Sequence, residues 1–141
     1  MTRRYANTAF IYAVAAMVCG VFYREFTKFQ HFEGRTNLAF MHAHYFMLGM
    51  FFFLLLMLAE KMFAFSDQKT KTALIFYHAG LNIAEVGFLM RGLAQVLGAE
   101  PDRGLDASIS GIAGIGHILL GIGIILLLLK IKKRRFNALE M

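Results

Sequence analysis

The sequence predicts an all-α protein: an integral membrane four-helix bundle that forms a single domain over residues 1–141. The composition is 58% hydrophobic, with 15 Phe and 9 Met, and the mean hydropathy is +0.57. Such values are typical of integral membrane proteins. The charged residues collect in short segments between long uncharged ones. Although the net charge is +6, this distribution argues against nucleic acid as a partner.

Four apolar segments predict the helices, at about 6–26, 38–60, 72–97 and 107–130. The second contains 22 consecutive residues, Leu38 to Ala59, without Asp, Glu, Lys or Arg. At a rise of about 1.5 Å per residue, such a segment spans a hydrocarbon layer of about 30 Å. The bilayer is therefore the first expected partner, and the expected location is a bacterial inner membrane.

The basic residues outside the helices predict the orientation. Ten flank one side of the predicted bundle and four flank the other. Because basic residues accumulate in cytoplasmic segments, both termini are expected in the cytoplasm. The ten are Arg3, Arg4, Lys61, Lys69, Lys71, Lys130, Lys132, Lys133, Arg134 and Arg135; the four are Arg24, Lys28, Arg35 and Arg103.

Two histidines near the start of the second segment are the first candidate functional residues. His42 and His44 lie two positions apart, which corresponds to about 200° around a helix, so their rings should point to nearly opposite sides. Ionisable groups inside a membrane span are costly, and they usually mark a functional site. Neutral imidazole binds haem iron, copper and zinc. The alternative is a pair of histidines that only hydrogen-bond between helices.

The third segment carries a polar stripe. His78, Asn82 and Glu85 are spaced so that they share one helix face. A stripe of this kind should face the bundle interior or water. It predicts either a proton or ion path or polar support for a cofactor, and the alternative is interhelical hydrogen bonding that fixes packing. Arg91, further along, is a possible ion-pair partner of Glu85.

The fourth segment places a histidine among small residues. Ser110, Gly114, His117 and Gly121 share one face, and glycines at this spacing let another backbone or a planar ligand approach closely. His117 is therefore a further candidate ligand. A single cysteine, Cys19, excludes an intramolecular disulfide and a multi-cysteine metal cluster.

The His-Ala-His motif of the second segment, followed by Leu48 and Gly49, resembles part of the catalytic subunit of haem-copper oxidases and nitric oxide reductases. It is more similar still to small four-helix bacterial proteins related to that subunit. The resemblance implies that His42 and His44 ligate haem, with Arg35 or Arg103 near the propionates. It also implies one four-helix unit of a twelve-helix ring. The sequence departs from the family in lacking the adjacent His-His pair used for copper.

These observations predict a haem b-binding protein with bis-histidine ligation, in electron transfer, haem handling or gas sensing; any enzymatic role would be that of an oxidoreductase. A metal-ion or proton transporter using His78, Asn82 and Glu85 is one alternative, and a structural accessory subunit of a membrane complex is another. A homotrimer is expected, in which each haem takes His42 from one copy and His44 from the next. The competing arrangement pairs a second-helix histidine with His117 in one chain. The sequence does not identify the redox partner.

Overall fold

A computed structural model describes residues 1–99 and 102–139, with side chains to residue 134. This part of the chain is all-helical. We number its helices α1 (Thr2–Phe29), α2 (Leu38–Phe63), α3 (Gln68–Val96) and α4 (Arg103–Leu139). Each helix is long and apolar enough to cross a membrane.

All four helices extend beyond their predicted bounds, at one end or at both. α1 begins four residues before the predicted start at 6, α2 continues three residues past 60, and α4 extends beyond 107–130 in both directions. α3 begins four residues before 72 and ends one residue before 97. The extensions contain several Arg and Lys residues and a Gln, which are too polar to belong to an apolar segment but are good helix formers. The end of the apolar segment therefore does not mark the end of the helix.

α2 changes its winding immediately after the two histidines. The segment Leu38–His44 is α-helical, Tyr45–Phe51 is a π-helix, and Phe52–Phe63 is α-helical again. The carbonyl of Leu48, within the π segment, accepts a 2.6 Å hydrogen bond from the Tyr77 hydroxyl of α3. π-Helical turns are rare and are frequent at functional sites.

The helices run up and down, and side-chain bonds identify the two ends. At one end the Tyr5 hydroxyl lies 2.7 Å from Ser66 Oγ, and Lys130 of α4 pairs with Asp67. At the other end Thr36 donates to the carbonyl of Gly92 at 3.0 Å. The start of α1, the α2–α3 connector and the Lys130 region of α4 therefore share one end. This is the topology that termini on a common side require.

Backbone contact joins α3 to α4. A Cβ atom added at Gly80 would collide with the backbone of Leu120, and one added at Gly116 would collide with Ala84. At Gly123 it would lie 2.7 Å from the Tyr77 nitrogen. Glycine allows this close approach because it has no side chain.

Two apolar clusters fill the bundle. The larger includes Tyr5, Phe53, Tyr77 and Leu127 and lies toward the Lys130 end. The smaller is built on Leu38, Met41 and Val96 and lies toward the other end. Along α2 and α3, the stretch between them holds His44 and Glu85.

Candidate functional site

The two histidines of α2 face different helices, as their spacing predicts. Nδ1 of His42 lies 2.9 Å from the carbonyl oxygen of Ala16 in α1. Its ring also packs so closely on Gly20 that a Cβ atom there would lie 2.7 Å from Nδ1. Nδ1 of His44 instead lies 3.2 Å from Oε1 of Glu85 in α3. The two imidazoles therefore lie in separate places, His42 between α2 and α1 and His44 between α2 and α3.

His44 meets a second histidine at the junction of α2, α3 and α4. Its ring centroid is 6.2 Å from that of His117, and the ring planes cross at 70°. Phe88 of α3 contacts both rings, at centroid distances of 4.9 Å and 5.8 Å. Glu85 lies one turn before Phe88. We call His44, Glu85, Phe88 and His117 the histidine junction.

The free nitrogens of three histidines follow from their hydrogen bonds. His117 Nδ1 lies 2.7 Å from the carbonyl oxygen of Ala113, and a carbonyl oxygen only accepts. Nδ1 must therefore carry the proton in His117, and the same reasoning applies to His42 beside Ala16. When Glu85 is ionised, its carboxylate only accepts and favours the same tautomer for His44. In the neutral form the lone pair of each of these rings is on Nε2, and this nitrogen can then bind a metal.

Glu85 is the acidic residue of the junction, and it is buried. Its side chain is 2% exposed, whereas the His44 side chain is 30% exposed. Oε1 faces His44, but Oε2 is buried without a hydrogen-bond partner. The prediction of an ion pair between Glu85 and Arg91 is wrong, because residues six positions apart lie about 120° apart around the helix. Arg91 instead pairs with Asp106 at 2.7 Å.

His78 and Asn82 belong to a separate hydrogen-bond network, centred on α1. The Tyr12 hydroxyl lies 2.7 Å from His78 Nδ1 and accepts from Asn82 at 3.1 Å. Tyr45 donates to the same amide at 3.1 Å. His78 is stacked between the rings of Tyr12 and Phe53. The predicted polar stripe is therefore divided: His78 and Asn82 belong to this network, whereas Glu85 contacts His44.

The two tyrosines of this network were not among the sequence-predicted site residues. Tyr12 and Tyr45 lie in apolar segments, and the sequence does not show which helix their rings pack against. The one available signal is the hydroxyl itself, because a hydroxyl in an apolar segment usually needs a partner.

The glycines beside His117 do not form the contact with α3. Gly114 and Gly121 have no heavy atom within 4 Å of an added Cβ, and His117 is exposed. The packing glycines are Gly116 and Gly123, each two positions further along and therefore about 200° around the helix. Within the described part of this single chain, no other backbone approaches the face of His117 at Gly114 or Gly121. That face is open instead.

The predicted propionate partners lie at the end of the bundle that Thr36 and Gly92 define. Arg35, in the α1–α2 connector, and Arg103, the first residue of α4, are both exposed. Arg91 of α3, in contrast, contacts the face of α4 that carries His117. Besides its pair with Asp106, it donates to Ser110 Oγ at 2.9 Å, and Ser110 is two turns before His117. Sequence reasoning had considered Arg91 only as a partner of Glu85.

A groove between α1 and α2 borders His42. It has a volume of about 540 Å³, opens outward and is mostly apolar. Its other lining residues are Met17, Gly20, Val21, Tyr23, Arg24 and Ala39. Within residues 1–99 and 102–134, no three or more His, Cys, Asp or Glu side chains are grouped so that they could hold a metal ion.

The model of one protein family, described as a protein of unknown function (DUF2871), matches residues 2–134. The chain belongs to this family. No curated protein and no solved structure matches it.

Proposed function

We propose that this member of the DUF2871 family is a multi-pass membrane protein that binds haem b between His44 and His117 and transfers electrons. The observation that carries the proposal is the 6.2 Å separation of the two ring centroids. A metal lies about 2.0 Å from a ligating histidine nitrogen, and that nitrogen lies about 1.1 Å from its ring centroid. Two imidazoles on opposite sides of one metal therefore have centroids about 6 Å apart.

The residues around the pair fit a haem. Both Nδ1 atoms are occupied by acceptors, which leaves both Nε2 atoms for axial ligation. A porphyrin supplies the other four ligands, so two histidines suffice. The open space at Gly114 and Gly121 admits a planar group beside His117, and Phe88 supplies an apolar contact. Arg91, with Arg35 and Arg103 at the same end, would receive the propionates.

Two protein ligands indicate the type of chemistry. When both axial positions of a haem are filled by histidine, the iron changes oxidation state without binding a gas. The chain holds the two imidazoles on separate helices and excludes water from Glu85. This favours electron transfer over gas sensing. The excess of basic residues at the Lys130 end supports an orientation with both termini in the cytoplasm of a bacterium.

The open face of His117 also supports self-association. A polar ring is costly against lipid, and lipid-facing ionisable groups are rare. We therefore retain the proposal of a homo-oligomer, most simply a trimer. The geometry of the histidine junction favours a haem within one chain over a haem shared between His42 and His44 of two copies, because His42 faces the groove on the α1 side.

Alanine variants and absorption spectra test the proposal. The purified protein is expected to show a six-coordinate haem b spectrum. His44→Ala and His117→Ala should each lose six-coordination, whereas His42→Ala and His78→Ala should keep it. The shared-haem arrangement predicts the reverse for two of them, with His42→Ala affected and His117→Ala intact. A colourless preparation from haem-replete cells, carrying stoichiometric zinc or copper, would contradict the proposal.

A second candidate function is a proton or metal-ion path. The bonds that link His78 and Asn82 through the Tyr12 hydroxyl favour it, as does the buried acid Glu85. If the protein transports ions, Glu85→Gln should abolish flux into proteoliposomes. Under the haem proposal, the same variant should retain the Soret band.

A further inference from the structure

We infer that Glu85 is a positioning residue for His44: its carboxylate fixes the His44 proton on Nδ1 and presents the Nε2 lone pair to a metal. This inference deepens the proposed function and rests on it. His44 differs here from His42 and His117, whose Nδ1 atoms are held by backbone carbonyls. Among these three histidines, His44 is the one whose Nδ1 partner comes from a side chain, so a substitution can remove it.

The acceptor is held in place by the closest helix contact in the molecule. Ala84 and Gly87, on either side of Glu85 along α3, pack against the α4 backbone at Gly116 and Ala113. Because the α3 and α4 backbones are in contact here, the position of Glu85 relative to His117 on α4 is constrained. The 3.2 Å contact between His44 Nδ1 and Oε1 then orients the ring.

Packing alone does not explain a carboxyl group at this place. Only one of its two oxygens has a hydrogen-bond partner, and the other is buried and unpaired. A buried polar atom without a partner costs free energy, so such atoms are uncommon in folded proteins. A residue with a single acceptor atom would hydrogen-bond with His44 without leaving a second buried oxygen unpaired, and would therefore cost less free energy. A carboxylate behind a ligating histidine, by contrast, raises the basicity of the ligand and orients it.

The first test uses the protein without haem. Nitrogen-15 NMR of histidine-labelled protein in detergent reports which ring nitrogen carries the proton, and the His44 signal is assigned from its loss in His44→Ala. Wild type and Glu85→Gln should both show the proton on Nδ1, because the Gln side-chain oxygen also accepts. Glu85→Leu should lose that preference. The matched control is Gln95→Leu, a polar-to-apolar change on the same helix, at a side chain that hydrogen-bonds with Asn37.

The second test uses the haem-loaded protein. Loss of a carboxylate behind a ligating histidine commonly weakens metal binding by about 10- to 100-fold. Glu85→Leu should therefore bind haem at least tenfold more weakly, while Gln95→Leu should match wild type. Glu85→Gln should remain six-coordinate, but its midpoint potential should become more positive because a negative charge beside the ligand is lost.

The outcomes separate the two proposals. If wild type binds no haem, the proposed function fails, and the NMR result still decides whether Glu85 fixes the His44 tautomer. If Glu85→Leu keeps both the wild-type tautomer and the wild-type affinity, the inference is overturned. If Glu85→Leu does not fold, Glu85→Gln decides, and an unchanged midpoint potential would overturn the inference.

Discussion

The two faces of α3 present different kinds of residue to their neighbours, small residues on one face and polar residues on the other. Toward α4 the helix presents Gly80, Ala84 and Gly87, and the two backbones touch. Toward α1 and α2 it presents His78 and Glu85, whose polar atoms need partners in an apolar interior. The first face carries one ionisable group, Arg91, at its far end, where it pairs with Asp106 of α4. The second retains two, one of them with an unpaired oxygen.

We infer that the close packing of the first face stabilises the fold, whereas the buried polar groups of the second face destabilise it. In a bilayer the hydrophobic effect would not drive helices together, so close packing of small residues would be what holds α3 to α4. This rigid pair can then support costly polar groups on the other face of α3. We expect substitutions on the glycine face to affect folding, and substitutions on the polar face to affect local order and function.

The largest effect is expected from a methyl group on the glycine face. Gly116→Ala places a Cβ atom against the backbone of Ala84, which no side-chain rotation relieves, so it should destabilise the protein by roughly 3 kcal/mol or more. Gly114→Ala, two positions away in open space, should be neutral or gain up to about 1 kcal/mol of helix propensity. Thermal unfolding of both variants in detergent, followed by circular dichroism, measures the contrast. Equal unfolding temperatures would contradict the division of α4 into a packing face and an open face.

A smaller effect is expected on the polar face. Tyr12→Phe keeps the aromatic stack but removes the hydroxyl that joins His78 and Asn82. Interhelical hydrogen bonds in membrane proteins average about 0.6 kcal/mol, so the loss of two should cost about 1 kcal/mol.

Tyr45→Phe is the control for this variant, since it removes one bond, to Asn82. Its cost should be about half that of Tyr12→Phe. The comparison of the two faces would need revision if Tyr12→Phe unfolded the protein as strongly as Gly116→Ala.

Composition and segment length were sufficient to predict the helical architecture. Four helices of spanning length follow from four apolar segments, and α2 begins at the predicted residue, Leu38. The π segment was not predictable, because Tyr45–Phe51 has the same apolar character as its neighbours. Its position depends on contacts with α1 and α3 rather than on local preference.

The candidate site was predictable by residue type but not by pairing. His44, Glu85 and His117 each stood out as polar groups in apolar segments. Their meeting at one junction depends on how α2, α3 and α4 rotate about their axes, and a single sequence does not specify those angles. The same limit explains why Gly114 was favoured over Gly116. Helical spacing shows which residues share a face, but it does not show which face meets another helix.

The smallest effect is expected where α3 leaves the apolar interior, at its first residues. Asp67 caps the helix by accepting from the Thr70 backbone, and it pairs with Lys130. The Lys130 hydrogen bond, together with the Thr70 bond, lowers the pKa of Asp67 below its usual value. Since the folded protein has the lower pKa, the pair stabilises it at neutral pH. This contribution should decline as the pH falls below about 4, the unfolded value, toward the folded pKa.

Asp67→Asn tests this assignment, because Asn keeps the capping oxygen and removes the charge. At pH 7 and low salt it should unfold at a slightly lower temperature than wild type. The difference should shrink at pH 3, because Asp67 is then largely protonated in the unfolded state. Lys130→Met should show the same pH dependence, because it removes the other half of the pair. A difference that persists unchanged from pH 7 to pH 3 would show that the cap, rather than the ion pair, supplies the stability. The effect should in any case stay below that of Tyr12→Phe, because exposed pairs are screened by water and salt.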